Sequence, residues 1–144
     1  MNLKIRKMTP GDAEPLYRLL SDPDVMRFLE PPYSKEQAER FLVEAGLSDP
    51  PLVYAVEKDG GFIGYVIYHD YDAESIEIGW VLYPSCQGQG TASRLTEQML
   101  EEIRRSGKHA VIECAPEQKS SIRIAEKYGF RNMGITDGLF VFRL

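Results

Sequence analysis

Gly88 and Gly90 lie in the segment PSCQGQGTASRL, residues 84–95, between the strand-like run IGWVLY and the helical pattern LTEQMLEEIRR. A glycine-rich turn that leads into a helix leaves backbone N–H groups unpaired at the positive end of the helix dipole, where they can bind a phosphate. The glycines permit unusual φ angles, and the small Ala92 leaves room for a pyrophosphate across the first helical turn. A turn with no ligand has the same pattern, so the two glycines alone leave both interpretations open.

Two other phosphate-binding motifs do not fit this segment. A Walker loop requires Gly-Lys-Ser or Gly-Lys-Thr, which is absent from it. A dinucleotide fingerprint requires a third glycine where Ser93 stands and an acidic residue about 20 positions later, for which Glu113 is only loosely placed. That fingerprint also belongs to an opening βαβ unit, whereas this segment follows an antiparallel meander. Neither motif therefore explains the two glycines.

The bulk composition limits the function classes. The 144 residues carry a net charge of −5, with a pI near 5.1, so there is no excess of Lys and Arg to neutralise nucleic-acid phosphates. Cys86 and Cys114 have no metal-like spacing and predict neither a zinc site nor a disulfide framework. The sequence shows no signal-peptide pattern and no apolar run of about 20 residues. We expect one cytoplasmic domain, residues 1–144, with no metal, nucleic acid or membrane partner.

The elements that must position the glycine segment alternate along the chain. The predicted strands are LKIRKM, LVYAVEK, FIGYVIYH, SIEIGWVLY, HAVIECA and GLFVFRL, with a further short strand near Arg131–Met133. The predicted helices begin at Thr9-Pro10, at Asp22-Pro23, at the Ser34/Gln37 capping box, at the glycine segment and at SSIRIAEKYGF. This order predicts a layered α/β (α+β) domain with a mixed sheet. We expect a monomer or a homodimer, the latter paired through the apolar final strand.

The glycine segment also carries a family resemblance. Gln87-Gly88-Gln89-Gly90-Thr91-Ala92 resembles the Q/R-x-x-G-x-G/A signature of the GNAT superfamily of acetyl-CoA-dependent N-acetyltransferases. IGWVLYPSCQGQG, SIRIAEKYGFRNMG and residues 3–42 are similar to segments of the branch that acetylates ribosomal-protein N-termini. The resemblance covers almost the whole chain, with its motifs in the right order. It implies a GNAT fold, in which a mostly antiparallel sheet of six to seven strands splays in the middle and is flanked by about four helices.

The resemblance gives the glycine segment a ligand. It implies that the pyrophosphate of acetyl-CoA is held by the backbone amides of Gln87, Gly88, Gln89, Gly90, Thr91 and Ala92. It also implies that the pantetheine arm pairs with the backbone groups of Trp80, Val81 and Leu82, because the sheet of this family splays between their strand and HAVIECA. Gln118 takes the place of an Asn that contacts the pantetheine in the ribosomal-protein branch, and Ser121 matches a Ser that faces the coenzyme there.

Glu77 is the candidate base. An alkyl ammonium has a pKa near ~10.4, so acetyl transfer to an amine requires a group that takes the proton. Many GNAT enzymes place such a base on the strand that corresponds to SIEIGWVL, and here Glu77 points away from the apolar face of that strand. A solvated charge on the polar face is the alternative. The rival bases are Glu113, Asp70 and Glu74.

Ser121 is the second catalytic candidate, with a simple helix cap as the alternative. Many superfamily members use as acid a Tyr of the last helix, and Ala125 stands at that position here. Tyr128 is expected to pack in the core. His69 and His109 are expected to be surface or strand-end residues.

These features predict the transfer of an acetyl group from acetyl-CoA to a primary amine by direct attack in a ternary complex. The acceptor is either a protein N-terminus or a small molecule, and an N–H of Val81 or Leu82 would donate to the thioester oxygen. The missing tyrosine and the change at Gln118 keep open a non-catalytic acyl-CoA-binding or sensing module. A phosphate-binding regulatory domain is the third alternative.

Overall fold

A seven-stranded sheet forms the centre of the computed structural model, which describes residues 2–144. The strands are β1 (Leu3–Arg6), β2 (Val53–Lys58), β3 (Gly61–Asp72), β4 (Ser75–Leu82), β5 (His109–Cys114), β6 (Arg131–Thr136) and β7 (Leu139–Arg143). Their order across the sheet is β1-β2-β3-β4-β5-β7-β6. Only β4 and β5 run parallel, and the other neighbouring pairs are antiparallel. The predicted mixed and mostly antiparallel sheet is confirmed, including the short strand after Gly129.

Five α-helices flank the sheet among the described residues. They are α1 (Ala13–Leu20), α2 (Pro23–Met26), α3 (Lys35–Phe41), α4 (Thr91–Ser106) and α5 (Lys119–Lys127). A π-helical turn, Leu42–Gly46, extends α3, and 3₁₀ turns at Pro10–Asp12 and Pro84–Cys86 precede α1 and the glycine segment. None of the helices between residues 2 and 144 is long and apolar enough to cross a bilayer.

The helix boundaries follow the capping residues in the sequence. At the start of α3, the Ser34 hydroxyl accepts from the Gln37 amide at 3.2 Å, and the Gln37 side-chain oxygen accepts from the Ser34 amide at 2.8 Å. This reciprocal pair is the predicted capping box. α4 ends at Gly107, whose φ of 74° is left-handed and therefore suits a glycine at the C-terminal cap.

Helices cover both faces of the sheet. α4 and α5 cover the face formed by Val66, Ile76, Ile78, Leu82, Ala110 and Ile112. α1, α2 and α3 cover the part of the opposite face formed by Val53, Ala55, Tyr65 and Val81. Trp80 packs against the first cluster, so the predicted division of β4 into an apolar face and a Glu77 face is confirmed.

The β4–β5 pairing is short and ends inside the sheet. Its register is Ser75–His109, Ile76–Ala110 and Glu77–Val111, whereas β4 continues to Leu82 and β5 to Cys114. The two strands therefore separate beyond Glu77 and leave one edge of β4 open to other partners. This is the splay that the family resemblance implied.

The final strand is not an edge strand. β7 pairs with β5 on one side and with β6 on the other. The expectation that GLFVFRL could pair across a dimer is wrong, because the hairpin that begins at Arg131 covers the remaining edge of β7.

Candidate active site

A groove of about 560 Å³ opens beside the C-terminal half of β4. Its walls come from β4, the glycine segment, the start of α4, one side of α5 and the end of α2. The sequence-predicted residues that line it are Trp80, Val81, Leu82, Gln87, Gly88, Gly90, Ala92, Gln118 and Ser121. The fold therefore brings together residues from three separate stretches of the chain.

The two glycines have the backbone conformation that their segment required. Gly88 and Gly90 have φ angles of 74° and 77°, and Gly90 caps the N-terminus of α4. A Cβ atom added at either position would meet nothing within 4 Å. The glycines are therefore needed for the turn, and the surface above them is open to a ligand.

Hydrogen bonds of its own glutamine side chains hold the glycine segment in place. Gln87 Nε2 donates to the Leu82 carbonyl at 3.1 Å, and Gln89 Nε2 donates to the Ser85 carbonyl at 3.2 Å. Gln89 Oε1 accepts from Lys58 Nζ at 2.9 Å, which ties the segment to the end of β2. Thr91 is only 1% exposed. Gln89 and Thr91 thus belong to the predicted segment but not to the groove wall.

The start of α5 contradicts the alternative in which Ser121 is a helix cap. Gln118 caps this helix and accepts from the Ala115 amide at 2.8 Å through its side-chain oxygen. Ser121 lies in the first turn, facing the groove, so its interpretation as a helix cap is wrong. Ala125 is fully buried, and the Tyr128 hydroxyl donates to the Ser93 carbonyl at 3.2 Å while its ring packs against the core.

Three basic residues of α5 line the groove and were not predicted as site residues: Lys119, Arg123 and Lys127. Lys127 Nζ lies 3.3 Å from the Ser93 hydroxyl in the first turn of α4. Their spacing of four residues places them on one face of the helix, and this spacing is the sequence signal that could have found them.

Glu77 occupies the last β4–β5 rung before the strands separate, on the face of the sheet opposite α4. Its side chain is 20% exposed, and its Oε1 lies 3.6 Å from Nε2 of His69. Burial raises the pKa of Glu77 above its ordinary value, His69 opposes that rise, and Glu113 adds to it. A raised pKa makes a carboxylate a stronger base, which suits a group that takes a proton from an amine.

The other candidate bases, Glu113, Asp70 and Glu74, have different surroundings from Glu77. Glu113 accepts from the Tyr71 hydroxyl at 2.7 Å, and this hydrogen bond raises the pKa of Tyr71 to about 12. Asp70 lies 3.4 Å from Lys108 Nζ, and Glu74 lies in the turn before β4. Residues 2–144 contain no group of three His, Cys, Asp or Glu side chains that could hold a metal.

His69 lies within β3, directly opposite Glu77 in the antiparallel register, and its side chain is part-exposed, in agreement with the surface alternative of its expectation. His109 does lie at the start of β5, as expected.

Comparison with known proteins decides the family. A family described as "Acetyltransferase (GNAT) domain" matches residues 2–131. The chain belongs to the GNAT acetyltransferases. A curated relative, "Uncharacterized N-acetyltransferase YnaD" of Bacillus subtilis, is 30% identical over 137 residues, which span 92% of this chain and 81% of the relative.

Solved GNAT structures share the fold. An acetyltransferase from Bacillus anthracis has a TM-score of 0.87 at 24% identity, over 100% of this chain and 95% of that chain. A spermidine N-acetyltransferase from Vibrio cholerae, in complex with CoA and spermine, has a TM-score of 0.78 at 22% identity, over 98% and 92% of the two chains.

The GNAT chain described here is an N-acetyltransferase that uses acetyl-CoA and acts on amine acceptors. The groove fits a coenzyme of this kind, because it combines an open strand edge with a helix N-terminus that has open space above its glycines.

Proposed function

We propose that the chain transfers the acetyl group of acetyl-CoA to a primary amine by direct attack of the amine in a ternary complex. The observation that carries the proposal is the separation of β4 from β5 beyond Glu77, beside a groove that ends at the N-terminus of α4. The separated edge suits an extended chain that carries amide groups, and the helix N-terminus suits a phosphate. One ligand that has both parts is an acyl-CoA.

The donor would lie along this groove. Backbone N–H groups of the glycine segment would hold the pyrophosphate, and backbone groups of Trp80, Val81 and Leu82 would pair with the pantetheine. The Leu82 carbonyl already accepts from Gln87, which orients the segment relative to β4. Gln118 and Ser121 would contact the same arm from the α5 side.

The chemistry needs two contributions from the protein. Glu77 would take the proton of the acceptor ammonium, so that the neutral nitrogen can attack the thioester carbon. An N–H of Val81 or Leu82 would donate to the thioester oxygen as negative charge develops there. The departing thiolate has an ordinary pKa of about 8.5, so proton donation from Ser121 would assist its departure without being essential.

Two classes of acceptor agree with these features. The resemblance to the ribosomal-protein branch favours a protein N-terminus, and the structural similarity to the spermidine N-acetyltransferase favours a small polyamine. Asp24, Val25, Phe28 and Leu29 of the α2 region line the same groove and would contact the acceptor. The cytoplasmic location and the choice between monomer and homodimer stay predictions.

Calorimetric titration with acetyl-CoA tests the donor site, with Gly90→Glu as the disrupting variant. The new side chain would place bulk and negative charge where the pyrophosphate is expected. Gly107→Glu is the matched control, because Gly107 caps the other end of α4 with a φ of 74° and also has open space around it. We expect binding by wild type and by Gly107→Glu, and loss of binding in a folded Gly90→Glu.

An assay of acetyl transfer distinguishes an enzyme from a non-catalytic acyl-CoA-binding or sensing module. Wild type would be assayed at neutral pH with acetyl-CoA and three acceptors: an N-terminal peptide, spermidine and a free amino acid. Transfer to any of them supports the proposal. Tight acetyl-CoA binding without transfer to any amine would favour the non-catalytic module, and ATP binding without acetyl-CoA binding would favour the regulatory domain.

A further inference from the structure

The imidazole of His69 is held between a backbone carbonyl and the Glu77 carboxylate. Nδ1 of His69 lies 2.9 Å from the carbonyl oxygen of Asp70, and Nε2 lies 3.6 Å from Oε1 of Glu77. The two residues face each other across the β3–β4 ladder, so the strand register fixes their pairing.

This arrangement decides which nitrogen of the neutral ring carries hydrogen. A carbonyl oxygen is only an acceptor, so Nδ1 must be the N–H that donates to Asp70. The lone pair of Nε2 then points toward Glu77. Two acceptors facing each other repel unless a proton lies between them, and a proton on either group turns the contact into an attractive one.

The neighbouring charged groups have other partners. Glu113 of β5 accepts from the Tyr71 hydroxyl, and Lys108 lies 3.4 Å from the Asp70 carboxylate. Asp72, further along β3, lies 3.8 Å from Nη1 of Arg143 in β7. Glu113 remains close enough to raise the pKa of Glu77, and His69 is the group that lowers it. Among these residues, His69 is therefore the base placed to take a proton from Glu77.

We propose that His69 is a positioning residue that accepts, through Nε2, the proton that Glu77 takes from the acceptor amine. The inference rests on the proposed function. One proton leaves the ammonium for the Glu77 carboxylate, passes to Nε2 of His69, and leaves for water from this part-exposed ring. The second proton leaves nitrogen as the C–N bond forms and the C–S bond breaks, and it neutralises the departing thiolate. Glu77 is thereby returned to its ionised form before the next turnover.

The first test needs no turnover. Carboxyl-carbon NMR of ¹³C-Glu-labelled protein follows the titration of Glu77, which is assigned with Glu77→Gln. Because His69 lowers the pKa of Glu77, His69→Gln should move the Glu77 midpoint to higher pH. His109→Gln is the matched control. It should leave the Glu77 midpoint in place, since His109 is not among the groups that shift the pKa of Glu77, and its Nδ1 lies 3.2 Å from the carbonyl oxygen of Leu144. ¹⁵N shifts of His69 should report the Nδ1–H tautomer, and a Nε2–H tautomer would overturn the proposal.

The second test is the pH profile of kcat with saturating acetyl-CoA and amine. His69→Gln should lower kcat about tenfold at neutral pH and move its acidic limb to higher pH. His109→Gln should leave both unchanged, and circular dichroism confirms that each variant is folded. A loss of kcat with the acidic limb of the profile at its original pH would indicate that His69 has only a structural role. This result would overturn the proposed proton transfer from Glu77 to His69. If wild type acetylates no amine, the proposed function fails and the proton relay fails with it. This holds whatever effect of His69 on the Glu77 titration the NMR experiment shows.

Discussion

Arg6 and Asp12 form a two-pronged ion pair, in which Nη1 and Nη2 of Arg6 donate to the two carboxylate oxygens of Asp12 at 2.9 Å each. Asp12 is only 5% exposed, and it also accepts from the Thr9 amide at 2.8 Å. Arg6 further donates to Glu57 on the neighbouring strand β2. The network joins β1, β2 and the 3₁₀ turn that precedes α1.

Replacement of Asp12 should therefore destabilise the fold in a pH-dependent manner. The hydrogen bond from Arg6 holds the pKa of Asp12 below its ordinary value, so its contribution is present at neutral pH and lost as pH falls through the lowered pKa. We expect Asp12→Asn to lower the free energy of unfolding by about 1–3 kcal/mol at pH 7, and by less in acid. Urea unfolding at pH 7, 5 and 3 measures this, with the exposed Glu117→Gln as control. An equal loss at all three pH values would contradict it.

Gly64 of β3 should tolerate no side chain. A Cβ atom there would lie 2.1 Å from the Val81 carbonyl oxygen and 2.8 Å from Cα of Leu82. Gly64→Ala must therefore push β4 away at the residues proposed to hold the pantetheine, and it should cost about 1–3 kcal/mol of unfolding free energy and weaken acetyl-CoA binding. Gly61→Ala on the same strand is the control, because its nearest contact would be an ordinary 3.7 Å. Equal stability of the two variants in urea would argue against this close approach.

The local parts of the site could be predicted from the sequence. The strand, turn and helix around Gly88 and Gly90 are contiguous, so hydrophobic periodicity and capping residues were enough to place them. Glu77 could be assigned to a face because side chains alternate along a strand. The same periodicity accounts for Leu16, Leu19 and Leu20, which share one face of α1 and are buried in the core.

The non-local parts could not be predicted. The pairing of His69 with Glu77 depends on the β3–β4 register, which includes an irregularity between Asp70 and Asp72 that no alternation pattern reveals. The internal position of β7 depends on a hairpin that folds back beside it. The basic face of α5 has a visible spacing, but only the docking of the helix shows that this face meets the groove.

The basic face of α5 should contribute to acetyl-CoA binding. Lys127 lies at the groove, 3.3 Å from the Ser93 hydroxyl, close to where the pyrophosphate is proposed to lie. We expect Lys127→Glu to weaken acetyl-CoA binding about tenfold at low ionic strength, and less at high salt because exposed charges are screened. Calorimetry at two salt concentrations measures this. Lys4→Glu, an exposed change on the far edge strand, is the control, and equal affinities of the two variants at low salt would refute the assignment.

Glu77 should be required for transfer and not for donor binding. It stands at the last β4–β5 rung with a pKa raised by burial and is not among the residues that line the groove, whereas the proposed pyrophosphate site is the glycine segment in the groove wall. We expect Glu77→Gln to lower kcat by roughly 10²- to 10³-fold with little change in acetyl-CoA affinity, because a glutamine cannot accept the proton. Glu74→Gln in the preceding turn and Asp70→Asn beside Lys108 are the matched controls.

Steady-state rates and calorimetry on these three variants distinguish Glu77 from Glu74 and Asp70 as the base. If Glu77→Gln retains kcat while a control variant loses it, the base is the control residue. If all three retain kcat with a peptide N-terminus, whose amine has an ordinary pKa near ~8, none of these three carboxylates is required as a base for that acceptor. Repeating the assay with spermidine, whose amines are more basic, would then restore the dependence on Glu77, because more of that acceptor is bound as the ammonium.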